Sequence, residues 1–182
     1  MIISIKPNIY QLHFKEFGSC VYILKNKFTI LIDTSSASAK EELLNDLKTL
    51  EIPPEKVNVV ILTHNHYDHI ENLNLFKNAK IYQAEKLNEK SIIKAKTGNF
   101  SINSSQGSQI KELPEMKIIE TPGHTPESKC FLYQNILFSG DTIFHNGGIG
   151  RMDLPGGSEE QMMKSLKKLS KIKYKILCPG HI

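Results

Sequence analysis

The sequence predicts an α+β domain of two β-sheets packed face to face, with helices on the outer faces. Short apolar runs rich in β-branched residues fall into two groups, and segments with helical spacing punctuate each group. Their order is not the strict strand–helix alternation of a doubly wound parallel sheet. Length agrees: 182 residues, 40% of them hydrophobic, suit one domain over 1–182 with a sizeable core.

The elements follow in order. "IYQLHF" (9–14), "CVYILK" (20–25) and "FTILID" (28–33) read as strands, broken at Gly18-Ser19 and Asn26-Lys27. In "SAKEELLNDLKTL" (38–50) the period changes, with Leu43, Leu44, Leu47 and Leu50 at helical spacing. Ser38 with Glu41 fits a capping box, and Pro53-Pro54 ends the segment. "VNVVIL" (57–62) is a fully apolar strand and "KIYQ" (80–83) a shorter one. "AEKLNEKSIIKAK" (84–96) is expected to be helical, and residues 97–114 to be a loop or weak hairpin. "MKIIET" (116–121), "SKCFLY" (128–133) and "NILFSG" (135–140) are the next strands. "SEEQMMKSLKKLSKI" (158–172) is the last helix, with Ser158 and Gln161 as capping box and Met162, Leu166, Leu169 and Ile172 as its buried stripe. "YKILC" (174–178) closes as a strand.

Composition narrows the function. The net charge of +4 is spread along the chain, with no basic stripe interleaved with aromatics, so no nucleic-acid partner is expected. No apolar run approaches the ~20 residues of a membrane span, and "MIISIKPNIYQLHF" lacks the basic start and long apolar centre of a signal peptide. Cys20, Cys130 and Cys178 are odd in number, far apart and each in an apolar stretch. They read as buried thiols of a reducing, cytoplasmic compartment. Arg151 is the only arginine. Its planar donor fork has two readings of nearly equal weight, a binding role, or chance retention or a structural hydrogen bond to loop carbonyls.

"VVILTHNHYDHI" (59–70) places three histidines and an aspartate within His64–His69, directly after an apolar strand. Four segments share this grammar of an apolar strand, a break, then a polar residue. "VVIL" leads to His64, "KIIE" to His124, "ILFSG" to Asp141 and "YKILC" to His181. Strand exits are rigidly held yet open to solvent, as a catalytic site requires. In an extended segment residues two apart point the same way, so His64, His66 and Asp68 share one face. His69, starting a helical turn, swings to the other side of Asp68. This suits two adjacent metal positions, and imidazole with carboxylate suits zinc, iron or manganese. His13 and His145 read as ordinary hydrogen-bonding histidines.

"THNHYDH", "TPGHTP", "SGDTIF" and "PGH", in that order, resemble the metallo-β-lactamase superfamily over nearly the whole chain. The resemblance implies a four-layer αβ/βα sandwich of two mixed sheets flanked by helices. It implies two divalent metal ions, zinc foremost with iron or manganese as alternatives. His64, His66 and His124 would hold the first, Asp68, His69 and His181 the second, with Asp141 bridging. The implied reaction is hydrolysis by a metal-bridging hydroxide, with Asp68 as the catalytic carboxylate orienting it. Asp33, in "LIDTS", would support the ligands from behind.

"GDTIFHNGGIGRMDLPGGS" is most similar to the glyoxalase II branch, whose substrates are thioesters of glutathione, and Arg151 would there meet a substrate carboxylate. The expected partner is therefore a small-molecule acyl or thioester substrate. The alternative on the same fold is a mononuclear iron persulfide dioxygenase held by His64, His124 and Asp141. Two positions depart from the superfamily pattern: Glu71 and Glu127 stand where glycine is common. The helical region that grips glutathione in glyoxalase II has no counterpart before the chain ends, one residue after His181.

Overall fold

The computed structural model describes residues 1–83, 102–104 and 110–182. They fall into two compact units, Met1–Ser104 and Ser105–Ile182.

The first unit is a mixed sheet. Its strands run in sequence order: β1 (Ile2–Lys6), β2 (Ile9–Leu12), β3 (Val21–Lys25), β4 (Thr29–Ile32), β5 (Val59–Ile61), β6 (Lys80–Gln83) and β7 (Ile102–Ser104). From β1 to β4 neighbours are antiparallel, and from β4 to β7 they are parallel. The strands β3, β4 and β5 are buried on both faces. That is why they read as unbroken apolar runs rather than alternating ones. Val21, Ile23, Leu31 and Val60 share one core cluster with Leu43 and Leu47 of helix α1 (Lys40–Thr49). Burying a leucine of this kind stabilises the fold by about 1.5–3 kcal/mol.

The parallel pairing positions the site. Ile32 pairs with Ile61, and Ile61 with Tyr82, so three strands end level. The chain leaves β4 at Asp33 and β5 at Leu62-Thr63-His64. Helix α2 (Tyr67–Ile70) begins four residues after Thr63.

The second unit is a four-stranded mixed sheet among the described residues, ordered β11-β10-β9-β8. Its strands are β8 (Lys117–Glu120), β9 (Lys129–Tyr133), β10 (Ile136–Gly140) and β11 (Ile176–Pro179). Only β10–β11 is parallel. Cys130, Leu137 and Leu169 of helix α3 (Glu159–Leu169) form its core cluster, with Ile119, Leu132 and Leu177 against it. All three cysteines are buried free thiols, and burial pushes Cys130 up to about 11.

Some expectations need correction. Ser38 does not cap α1: the N-cap is Ala39, without a side-chain bond, and the Ser38 hydroxyl donates to the Phe17 carbonyl at 2.8 Å. Half of the second capping box forms, as Ser158 Oγ accepts from Gln161 N at 3.3 Å. In α3 the buried stripe takes Ser165 between Met162 and Leu169, and Leu166 is only half-buried. The edge strand β1, half-buried or exposed throughout, was not among the expected strands although it carries three isoleucines. The strand β7 lies within the stretch expected to be a loop or weak hairpin. The helix expected at 84–96 lies outside the described residues. Among the described residues no helix is long and apolar enough to cross a membrane.

Candidate metal centre

In the first unit, His64, His66, Asp68 and His69 cluster at the exit of β5. Asp68 is not part of an extended run, as its spacing suggested, but lies with His69 in α2. His64 Nε2 lies 3.1 Å from His66 Nδ1, and the His64 and His69 rings are 4.1 Å apart between centroids. Potential ligand atoms of Asp68 and His69 lie within 4.8 Å of one another. His64, Asp68 and His69 are buried, His66 half-buried.

Hydrogen bonds fix the imidazole tautomers. His69 Nδ1–H donates to Asp33 Oδ2 at 2.8 Å. Thr63 Oγ1 donates to the same oxygen at 2.8 Å, which leaves its lone pair for His64 Nδ1–H at 3.1 Å. Asp33 Oδ1 accepts from Thr63 N at 2.8 Å. Protons held at Nδ1 leave the Nε2 lone pairs of His64 and His69 for a cation, as histidines behind a metal require. Asp33 and Ser35 both take the left-handed conformation, with φ of 60° and 62°, a costly backbone state for residues other than glycine. The strained loop is held against α2. Thr34 N donates to the His69 carbonyl at 2.7 Å, and Asn72 Nδ2 to the Thr34 and Ser36 carbonyls at 2.9 and 2.6 Å. Glu71 closes it, accepting from Ala37 N at 2.8 Å. That bond is what this chain gains from an acid in place of the common glycine.

In the second unit, His124, Asp141 and His181 converge. His124 Nε2 and His181 Nε2 each lie 3.5 Å from Asp141 Oδ2. His124 Nδ1–H donates to the Arg151 carbonyl at 2.7 Å, so its Nε2 also carries a lone pair. The turn before His124 packs on α3: a Cβ on Gly123, whose φ is +148°, would come within 2.5 Å of Met162 Cα. Arg151 takes part through its backbone. Its exposed guanidinium makes a paired bond to Asp153, both contacts at 2.7 Å. This bond holds the Asp153 carboxyl down at about 2 and raises the guanidinium above its usual range. His13 and His145 lie outside both clusters; the His13 backbone pairs with Met1.

The sequence pattern of the metallo-β-lactamase superfamily matches residues 14–181. The chain belongs to that superfamily. A probable metallo-hydrolase of Methanocaldococcus jannaschii is 34% identical over 84% of this chain and 70% of its own length. A hydroxyacylglutathione hydrolase of Hydrogenovibrio crunogenus is 32% identical over 80% of this chain, which spans only 55% of that protein. These relatives agree with the glyoxalase II-like branch. The fold is confirmed by a metallo-β-lactamase family protein from Thermus thermophilus. It superposes with a TM-score of 0.81 over 98% of this chain and 75% of its own, at 17% identity.

Two residues behind the superfamily's motifs were not singled out by sequence reasoning. Thr63 joins Asp33 to His64, and its signal was its place directly before the histidine cluster. Gly150 admits the Arg151 segment: a Cβ there would meet the Asp141 carbonyl oxygen at 1.9 Å and His124 Nδ1 at 3.0 Å. It was hidden among the other glycines of "NGGIG".

Proposed function

We propose that this chain is a hydrolase of thioesters or related acyl bonds, with one metal centre served by His64, His66, Asp68, His69, His124, Asp141 and His181. The carrying observation is the donor set. Lone pairs at His64, His69 and His124 are fixed by bonds at the opposite ring nitrogen, and the imidazoles of His66 and His181 and the carboxylates of Asp68 and Asp141 are the other donors. Nitrogen and oxygen donors in this number suit two divalent ions, zinc first. When bound, such ions polarise the acyl carbonyl and lower the pKa of a coordinated water.

The chain's residues supply the rest. Asp68 is buried; its carboxylate would orient the attacking oxygen, take its proton and pass it to the leaving sulfur of the thioester as the C–S bond breaks. The products are an acid and a thiol. With two ions bound, Asp141 would be the carboxylate they share; the His124 and His181 imidazoles each lie 3.5 Å from its Oδ2. Asp33 and Thr63 keep the histidines in the binding tautomer. Arg151, whose exposed guanidinium pairs with Asp153, is the candidate for a substrate carboxylate. The hydroxyacylglutathione hydrolase relatives support a thioester as the bond attacked, although this chain spans about half of their length. The partner in this reading is a small molecule, with no role for nucleic acid or membrane.

The test is elemental analysis of the purified protein alongside assays of thioester hydrolysis and of oxygen uptake on a persulfide. About two zinc per chain with hydrolysis are expected. About one iron per chain with oxygen uptake replaces this reading by the dioxygenase. Asp141→Ala is expected to lose both metals and the activity; tight retention of two metals would refute the shared role.

A further inference from the structure

An aromatic pair stands on the same turn as the metal-ligand candidates. Tyr67 lies between His66 and Asp68 and opens α2. Its side chain is 58% exposed, and beside it Phe17 is 61% exposed. The ring centroids are 6.3 Å apart, with the planes tilted by 32°. The rings touch without burying each other. Adjacent large apolar side chains left in water do little for the fold, and such patches mark recognition surfaces.

The exposure does not come from a loose loop. Lys15 N and Glu16 N donate to the Glu42 carboxylate at 3.1 and 3.0 Å. The Phe17 carbonyl accepts from the Ser36 and Ser38 hydroxyls. Gly18 fits only without a side chain, since a Cβ would meet Ser35 Oγ at 2.2 Å. Ser19 N donates to the Asp68 carbonyl at 3.0 Å. That bond ties the loop bearing Phe17 to the turn bearing Tyr67 and Asp68. Rigid backbone presenting apolar rings at a fixed place is what a binding subsite needs.

We infer that Phe17 and Tyr67 form a subsite for the apolar acyl group of a thioester substrate. The inference rests on the hydrolase reading above. The occupant follows from position and chemistry. Asp68 adjoins Tyr67 in the chain, and Ser19 N, two residues beyond Phe17, bonds the Asp68 carbonyl, so both rings are carried by backbone that adjoins the proposed catalytic carboxylate. Apart from the Tyr67 hydroxyl the rings offer only apolar surface, so they distinguish acyl groups by length through burial and dispersion.

The experiment measures kcat/KM for S-acyl-N-acetylcysteamine thioesters from acetyl to octanoyl. Wild type is compared with Phe17→Ala, Tyr67→Ala, their double variant and Tyr67→Phe. In wild type, kcat/KM is expected to climb by up to about fourfold per methylene, the ceiling set by methylene transfer. In the double variant octanoyl-over-acetyl selectivity falls at least about tenfold, with metal content and melting temperature unchanged. Tyr67→Phe keeps the selectivity, because the ring and not the hydroxyl carries it. Calorimetry with S-octyl-N-acetylcysteamine, a thioether that cannot be hydrolysed, reads binding separately. If that thioether binds wild type but not the double variant while no thioester is cleaved, the subsite stands and the hydrolase reading falls. Cleavage with no chain-length dependence, or with the same dependence in the double variant, overturns the subsite and leaves the hydrolase. Concentration-dependent dimers in sedimentation that the double variant abolishes would assign the rings to a second copy and overturn it too.

Discussion

Asp33 shows how much a single buried side chain decides. It carries no candidate ligand atom, yet three hydrogen bonds end on it, from Thr63 N, Thr63 Oγ1 and His69 Nδ1. Each constrains something different: the exit of β5, the hydroxyl behind His64, and the His69 tautomer. Its left-handed φ of 60° is a cost borne to aim the carboxylate this way. Asp33→Asn keeps the shape and can still accept from Thr63 N. The amide, however, offers an N–H or one oxygen where two donors now meet a carboxylate. The tautomer of His69 then loses its fixed donor bond. Metal affinity of the folded variant is expected to fall about 10- to 100-fold, the usual effect of losing a group behind a ligand histidine. Competition with a fluorescent chelator reads this directly. Unchanged affinity would mean that the histidines need no such support.

Helix α1 and the loop before β3 depend on one carboxylate. Glu42 accepts from the backbone of Lys15 and Glu16. The Glu16 bond is the chief reason its pKa lies below the ordinary 4.5, with desolvation opposing and the Lys15 bond adding to it. A pKa depressed by folding means that the ionised form is preferred in the folded state. Its stabilisation is complete above the ordinary glutamate range and is lost as pH falls through the lowered value. Metal-free wild type should therefore melt above metal-free Glu42→Gln near neutrality, and the gap should close as pH drops below 4.5. Melting curves from neutral pH downward test this; a gap independent of pH would show that the charge plays no part.

Much at this scale was legible beforehand, and the failures have causes. The strands β3, β4 and β5 announced themselves because burial on both faces demands continuous apolar sequence. The ligand candidates were legible because so many imidazoles with a carboxylate have no cheap structural use. Ser38 misled because a hydroxyl before a helix serves equally well in a cap or on a loop carbonyl, and here the Phe17 carbonyl took it. Thr63 was legible only by its place before the histidines, and Gly150 and the Phe17–Tyr67 pair were not legible. Each acts through a contact between residues distant in sequence or through the absence of a side chain, and composition does not encode such approaches.

For the molecule as a whole, the proposed ligands come from stretches far apart in sequence: 64–69, then 124, 141 and 181. A cation that holds all of them binds the folded chain and not the unfolded one, so binding adds directly to stability. At a free metal concentration 1,000 times the dissociation constant the gain is about 4.1 kcal/mol. For a chain of this size each kcal/mol moves Tm by about 2–4 °C. Removing the metal with a chelator is therefore expected to lower Tm by roughly 8–16 °C, and zinc in excess over the chelator to restore it. Asp141→Ala and Asp33→Asn report on different steps of the same linkage. The first should abolish the metal-dependent rise, having lost the carboxylate that two imidazoles approach. The second should keep the rise but require more metal to reach it. Calorimetric scans against zinc concentration separate these cases. A Tm that does not respond to metal in wild type would show that the seven residues do not act as one centre.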